Sequence, residues 1–130
     1  MCSSDLRRIL GDFVFTEHDT QPAPASVRTP LQRQSIAIGD YALNSHGHQK
    51  GGPLYPTLVE GDFAFSTTPF QVPYGVMVPL DVDNLLVPVA VSASHVGFSA
   101  LRLEPTWTAL GHAAGLAAHL ALAEIGRAHV

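Results

Sequence analysis

From Pro105 to Ala123 the chain carries no charged side chain and is built mainly of alanine, leucine and glycine. A helix of that composition has no polar face to give to water, so it is expected to be buried nearly all round or to lie in lipid. Its length approaches a membrane span, yet His112 and His119 would then sit within the bilayer, and no basic cluster flanks either end. Burial in protein is the expectation. Proline is favoured at the first helical position, where its missing N–H would have no intrahelical partner, so the helix is predicted to open at Glu104-Pro105 and to run to about Ala123. Gly111, Gly115 and Ala118 fall on one stripe of it, where another backbone can approach closely, and the stripe is expected to pack on a sheet.

Just upstream, Leu85 to Val91 is an apolar run that suits a strand covered on both faces, and Ser92-Ala93-Ser94 ends it with small side chains. Strand, tight turn and helix in that order form a ligand cradle. Arg102 and Glu104 bracket the start of the helix, where unpaired amides and the positive end of the dipole favour an anion. An ordinary helix cap with a surface ion pair fits the spacing equally well.

The earlier part of the chain reads as short, antiparallel strands separated by turns. Phe13 to Thr16 and Ser35 to Ile38 are rich in β-formers, and Asp62 to Phe65 alternates polar and apolar residues. Gln21 to Pro30, with its prolines and small residues, is predicted as an exposed connection, and His46 to Pro53 as a glycine-containing loop.

These segments resemble, in the same order, a known family. LLVPVAVSASHVGFSALRLEPTWTALGHAAGLAAHLA looks like the C-terminal flavin-binding segment of the FAD-dependent oxidoreductases of the xanthan-lyase-associated type. RRILGDFVFTEHD, SIAIGDYALNSH, VEGDFAF and PFQVPYGVMVPL resemble that family's substrate domain and its return to the flavin domain. The resemblance implies an α/β fold: the incomplete C-terminal portion of a two-domain flavoprotein, with short, mostly antiparallel strands of a substrate domain at 7–80 followed by the last strand and helix of the FAD-binding domain at 81–124. It also implies FAD as cofactor, with Ser92, Ala93, Ser94 and His95 in a flavin-facing turn and Arg102, Leu103, Glu104 and Pro105 at the helix start beside the N1–C2=O edge of the isoalloxazine. Dipoles aimed at that edge stabilise the charge that gathers there on reduction. The family's glycine turn for the pyrophosphate, G-x-G-x-x-G, occurs nowhere in the sequence. The expectation is therefore a fragment that is inactive alone and lacks the N-terminal dinucleotide-binding portion of the same protein.

Met1–Leu6 (MCSSDL) and Ile125–Val130 (IGRAHV) look like translations of a common sequencing adapter read from its two strands, and both are set aside as non-native tails. On that reading Cys2 is foreign and the natural segment has no cysteine, which fits cytosol and periplasm alike. A formal charge of −4 without a basic stripe argues against nucleic acid or an anionic membrane as partner. A small-molecule substrate is expected instead.

For proton transfer the candidates are His95, beside the flavin turn, and His46, in the substrate part, because imidazole titrates near neutral pH. His46 and His48 form an H-x-H pair that His18 and Asp19 would have to complete as a metal site, but no third ligand has diagnostic spacing, and no metal is assigned. Ser94-His95 lacks the G-x-S-x-G elbow of a serine hydrolase. The competing functional reading is a non-catalytic β-rich module for carbohydrate, displaying Tyr55, Phe70 and Tyr74 as exposed aromatics.

Overall fold

The computed structural model describes residues 7–46 and 62–128, the side chains as far as Glu124. It is a mixed α/β arrangement of short antiparallel strands and two helices. Strands β1 (Ser35–Gly39), β2 (Leu43–Ser45), β3 (Phe63–Phe65) and β4 (Phe70–Pro73) are nested: β1 pairs with β4 and β2 with β3, both antiparallel. Ala37 lies opposite Val72 and Gly39 opposite Phe70, with an irregularity between Ser35 and Ala37. The strands expected near Ser35–Ile38 and Asp62–Phe65 are thus present as β1 and β3. Phe13 to Thr16 differs, since only Phe15 forms a bridge, a single parallel one to Ala93.

A core of Phe15, Leu43, Phe70, Val72, Val76, Met77, Val91, Phe98, Ala100, Leu101 and Leu110 ties these pieces together. The rings of Phe15 and Phe70 meet at 5.4 Å between centroids, tilted by 51°, within the range that aromatic pairs prefer. Phe70 is fully buried and Tyr74 half-buried. Phe70 is therefore core rather than an exposed sugar platform, and Tyr55 lies outside the described residues.

Leu85 to Val91 is not a strand. Its backbone bonds go to separate places: Val87 N–H donates to Met77 C=O at 2.9 Å, and Ile9 N–H donates to Ala90 C=O at 3.0 Å. Pro88 interrupts the run and has no N–H to give a ladder. Leu85 and Val89 are exposed. The pairing falls instead on Ser92–Ser94, where the turn was expected: Phe15 N–H donates to Ser92 C=O at 3.1 Å and Ser94 N–H to Phe15 C=O at 2.8 Å.

Between that link and the long helix stands a helix absent from the sequence reading, α1 (His95–Leu101). Ser94 caps it, its Oγ accepting from Gly97 N–H at 2.9 Å. Gly97 lets α1 lie directly on the preceding chain: a Cβ there would stand 2.6 Å from Phe15 O and 2.8 Å from Thr16 Cα.

The long helix, α2 (Glu104–Ala128), opens where Pro105 placed it and continues beyond Ala123. It lies against β1, and its buried or core-packed residues, Thr106, Trp107, Leu110, Ala113 and Ala114, recur at helical spacing. The expected Gly111/Gly115/Ala118 stripe is instead exposed, and Cβ atoms built at Gly111 and Gly115 meet nothing within 4 Å. Leu116, Leu120 and Leu122 are 53%, 52% and 72% exposed. Burial all round is thus overturned for the described residues, because only one face of α2 has something to pack on. Between α2 and the 78–86 segment lies a cavity of about 700 Å³, lined by residues including Val78, Leu86, Ala114 and Ala118.

Candidate flavin site

Ser92, Ala93, Ser94 and His95 sit at one end of α1, and Arg102 through Pro105 at the other. The seven-residue helix His95–Leu101 lies between Ser94 and Arg102, a rise of about 10 Å. The sequence-predicted site is thus split in two.

At the first end, Ser92 is fully buried, and its Oγ has no hydrogen-bond partner among the described residues. Its Cβ lies against Gly11, where an added Cβ would be 3.0 Å away. Ala93 forms the bridge to Phe15. Ser94 Oγ, besides capping α1, contacts Glu17 Oε2 at 3.4 Å. His95 is the first residue of α1 and is exposed.

At the other end, Arg102 is the C-cap of α1, and Leu103 alone separates it from α2. Leu103 is half-buried, while Glu104 and Pro105 are exposed, so the helix start is open to solvent. Trp107 N–H donates to Leu103 C=O at 3.0 Å; the amides ahead of it lack intrahelical partners by the geometry of a helix end. Trp107 Nε1, on the same first turn, is buried without a partner among the described residues.

Arg102 Nη2 donates to Asn44 Oδ1 on β2, and Asn44 Nδ2 donates to Tyr41 Oη at 3.0 Å. Sequence reasoning passed over Asn44 and Tyr41. The pair Asn44–Arg102 spans 58 positions, so no local pattern announces it. His46, exposed, lies two positions past Asn44, which puts it beyond the end of the strand that holds Arg102.

Asp19, weighed above as a metal ligand, is engaged elsewhere. Asp19 Oδ2 accepts from Thr16 N–H at 2.8 Å and its Oδ1 from Gln32 Nε2 at 3.2 Å, both structural duties. Among the described residues no group of three potential ligands is placed to hold a metal; His48 lies outside them. No helix among them is long and apolar enough to cross a membrane.

A family model described as FAD dependent oxidoreductase matches residues 5–127. The chain belongs to the FAD-dependent oxidoreductase family. FAD is accordingly its family's cofactor, and redox chemistry its class of reaction. No curated protein and no solved structure matches the chain.

The residues present fit one part of that cofactor. The solvent-open start of α2, the buried indole N–H of Trp107, which has no partner among the described residues, and Arg102, two positions ahead of α2, are donors of the kind an electron-rich ring edge takes. The pyrophosphate finds no G-x-G-x-x-G in the sequence.

Proposed function

We propose that this chain is the C-terminal part of an FAD-dependent oxidoreductase of the xanthan-lyase-associated type, contributing the isoalloxazine-side helix start and an adjoining piece of the substrate domain. The observation that carries the reading is the family match over residues 5–127, which includes the open start of α2. When bound, FAD supplies the redox chemistry. The chain's own residues bind and orient: the first amides of α2 and the Arg102 side chain face the N1–C2=O edge with positive potential, and Leu103 and Pro105 give apolar cover. His95 and His46 are the candidate proton carriers for a small-molecule substrate. The dinucleotide-binding portion of the same protein supplies the ADP half of the site and covers the exposed apolar face of α2.

The test is FAD titration, followed by flavin fluorescence, of this chain and of the full-length protein. The chain alone is expected to show no saturable binding at about micromolar FAD, because half a site forgoes the pyrophosphate contacts. Saturable binding in that range would overturn the division of the site. A full-length protein that carries no flavin would overturn the flavoenzyme reading itself.

A further inference from the structure

We propose that Asn44 is a positioning residue for Arg102, with Tyr41 anchoring the NH2 end of the Asn44 amide. The inference rests on the flavin-edge role proposed for Arg102. An asparagine side chain offers an oxygen on one side and an NH2 on the other, and either can face a neighbour. Here the Arg102 guanidinium, which can only donate, takes Oδ1, and that leaves Nδ2 to donate to the Tyr41 hydroxyl. Donation therefore runs in one sense, guanidinium to amide to phenol.

Its placement gives it a consequence beyond local packing. Asn44 lies in the middle of β2, paired with Ala64 of β3, and β2 lies against α1. Arg102 closes α1 and stands just ahead of α2. One hydrogen-bonded string thus joins the strand on the substrate side to the helix start on the flavin side. The chemistry of the acceptor matters as well. A neutral amide holds the guanidinium through a charge-assisted hydrogen bond without cancelling its charge, whereas a carboxylate in its place would hold it and neutralise it. A cation kept in place is what a ring edge that gains negative charge on reduction requires.

The experiment uses the flavin-loaded full-length protein and compares Asn44→Leu, Asn44→Asp, Tyr41→Phe and Arg102→Gln. Two readouts are taken, the flavin midpoint potential and the dissociation constant of sulfite, whose adduct places negative charge on the N1–C2=O edge. Arg102→Gln is expected to lower the potential and weaken sulfite binding. Asn44→Leu should weaken it about tenfold, as loss of one charge-assisted hydrogen bond does. Asn44→Asp should weaken it at least as much while preserving the fold, and Tyr41→Phe should act less in the same direction. If Arg102→Gln moves both readouts and neither Asn44 variant moves either, the positioning role is overturned while the flavin-edge reading stands. If Arg102→Gln moves neither, the flavin-edge reading falls and takes the role of Asn44 with it. In the unliganded 130-residue chain, NMR of the Arg102 side-chain N–H groups gives an independent check. Asn44→Leu should speed their exchange with water, and unchanged exchange would count against the hold.

Discussion

Gly97→Ala is the sharpest test of how α1 is seated. The new Cβ would lie 2.6 Å from Phe15 O, 2.8 Å from Thr16 Cα and 3.0 Å from Phe15 C, all of them backbone atoms that no rotamer change can move. Ordinary contact begins at 3.4 Å, so α1 must retreat by roughly 0.8 Å in an interior packed like an organic crystal. That retreat pulls on Ser94 N–H to Phe15 C=O, at 2.8 Å, and on Phe15 N–H to Ser92 C=O, at 3.1 Å. Overpacking costs about 1–3 kcal/mol, and each backbone hydrogen bond is worth about 1 kcal/mol net. Against this, alanine gains about 1 kcal/mol of helix propensity over glycine. The balance is a loss of about 2–3 kcal/mol, measured as a lower midpoint in urea denaturation at unchanged slope. Gly111→Ala and Gly115→Ala are the controls, since an added Cβ there meets nothing within 4 Å. Each should stabilise the chain by up to about 1 kcal/mol. A Gly97→Ala variant as stable as its parent, or a shift of the same sign in all three, would refute the close approach of α1 to Phe15.

Ser92→Ala removes a buried hydroxyl that has no partner among the described residues, so the variant should match its parent or gain about 1 kcal/mol; a clear loss in urea denaturation would show that the hydroxyl is bonded. Ile125–Ala128 continue α2, yet if both tails are foreign to the fold, removing Met1–Leu6 and Ile125–Val130 together should change stability by less than about 1 kcal/mol. A larger loss would count against their foreign origin. In the full-length holoenzyme, Arg102→Ala and Glu104→Ala should each weaken FAD binding about tenfold or shift its potential, the scale of one charge-assisted contact. Normal affinity and potential in both would end the side-chain assignment and leave only the backbone dipole.

What the sequence shows plainly is whatever local chemistry decides. Pro105 marks the start of α2 because proline suits a first helical position, and the β-branched pattern of Ser35–Ile38 marks β1. Leu85 to Val91 was misleading for an equally local reason: its apolar content suits a buried strand, but Pro88 breaks the ladder and the run turns outward at Leu85 and Val89. Helix α1 is short, and its one clear signal is the capping serine at 94, which reads as easily as part of a turn. The candidate site was legible as residue types and not as geometry. Apart from the capping serine at 94, no local signal tells that a helix parts Ser92–His95 from Arg102–Pro105, and nothing near Arg102 tells that it donates to Asn44, 58 positions away.

The sequence and the structure of α2 disagree in a way that is itself informative. Its stretch from Pro105 to Ala123 is free of charge on every side, as suits a helix with more than one covered face, yet among the described residues the core takes up only the side bearing Trp107, Leu110, Ala113 and Ala114. The remaining faces, with Leu116, Leu120 and Leu122 in water, rest on the helix propensity of alanine and leucine. This conflict between composition and packing is one that the proposed dinucleotide-binding portion would relieve by covering the free faces of α2. Replacing Gly111 and Gly115 together by leucine separates the two contexts. In this chain both side chains enter open space, where the substitution should cost nothing and gain about 1 kcal/mol or less. In the full-length protein, where the proposed dinucleotide-binding portion lies on that stripe, the same pair should sharply reduce the yield of soluble, flavin-loaded protein, because two leucines prevent the close approach that glycine permits. Equal tolerance in both proteins would mean that the stripe is never covered, and that the charge-free helix needs another explanation.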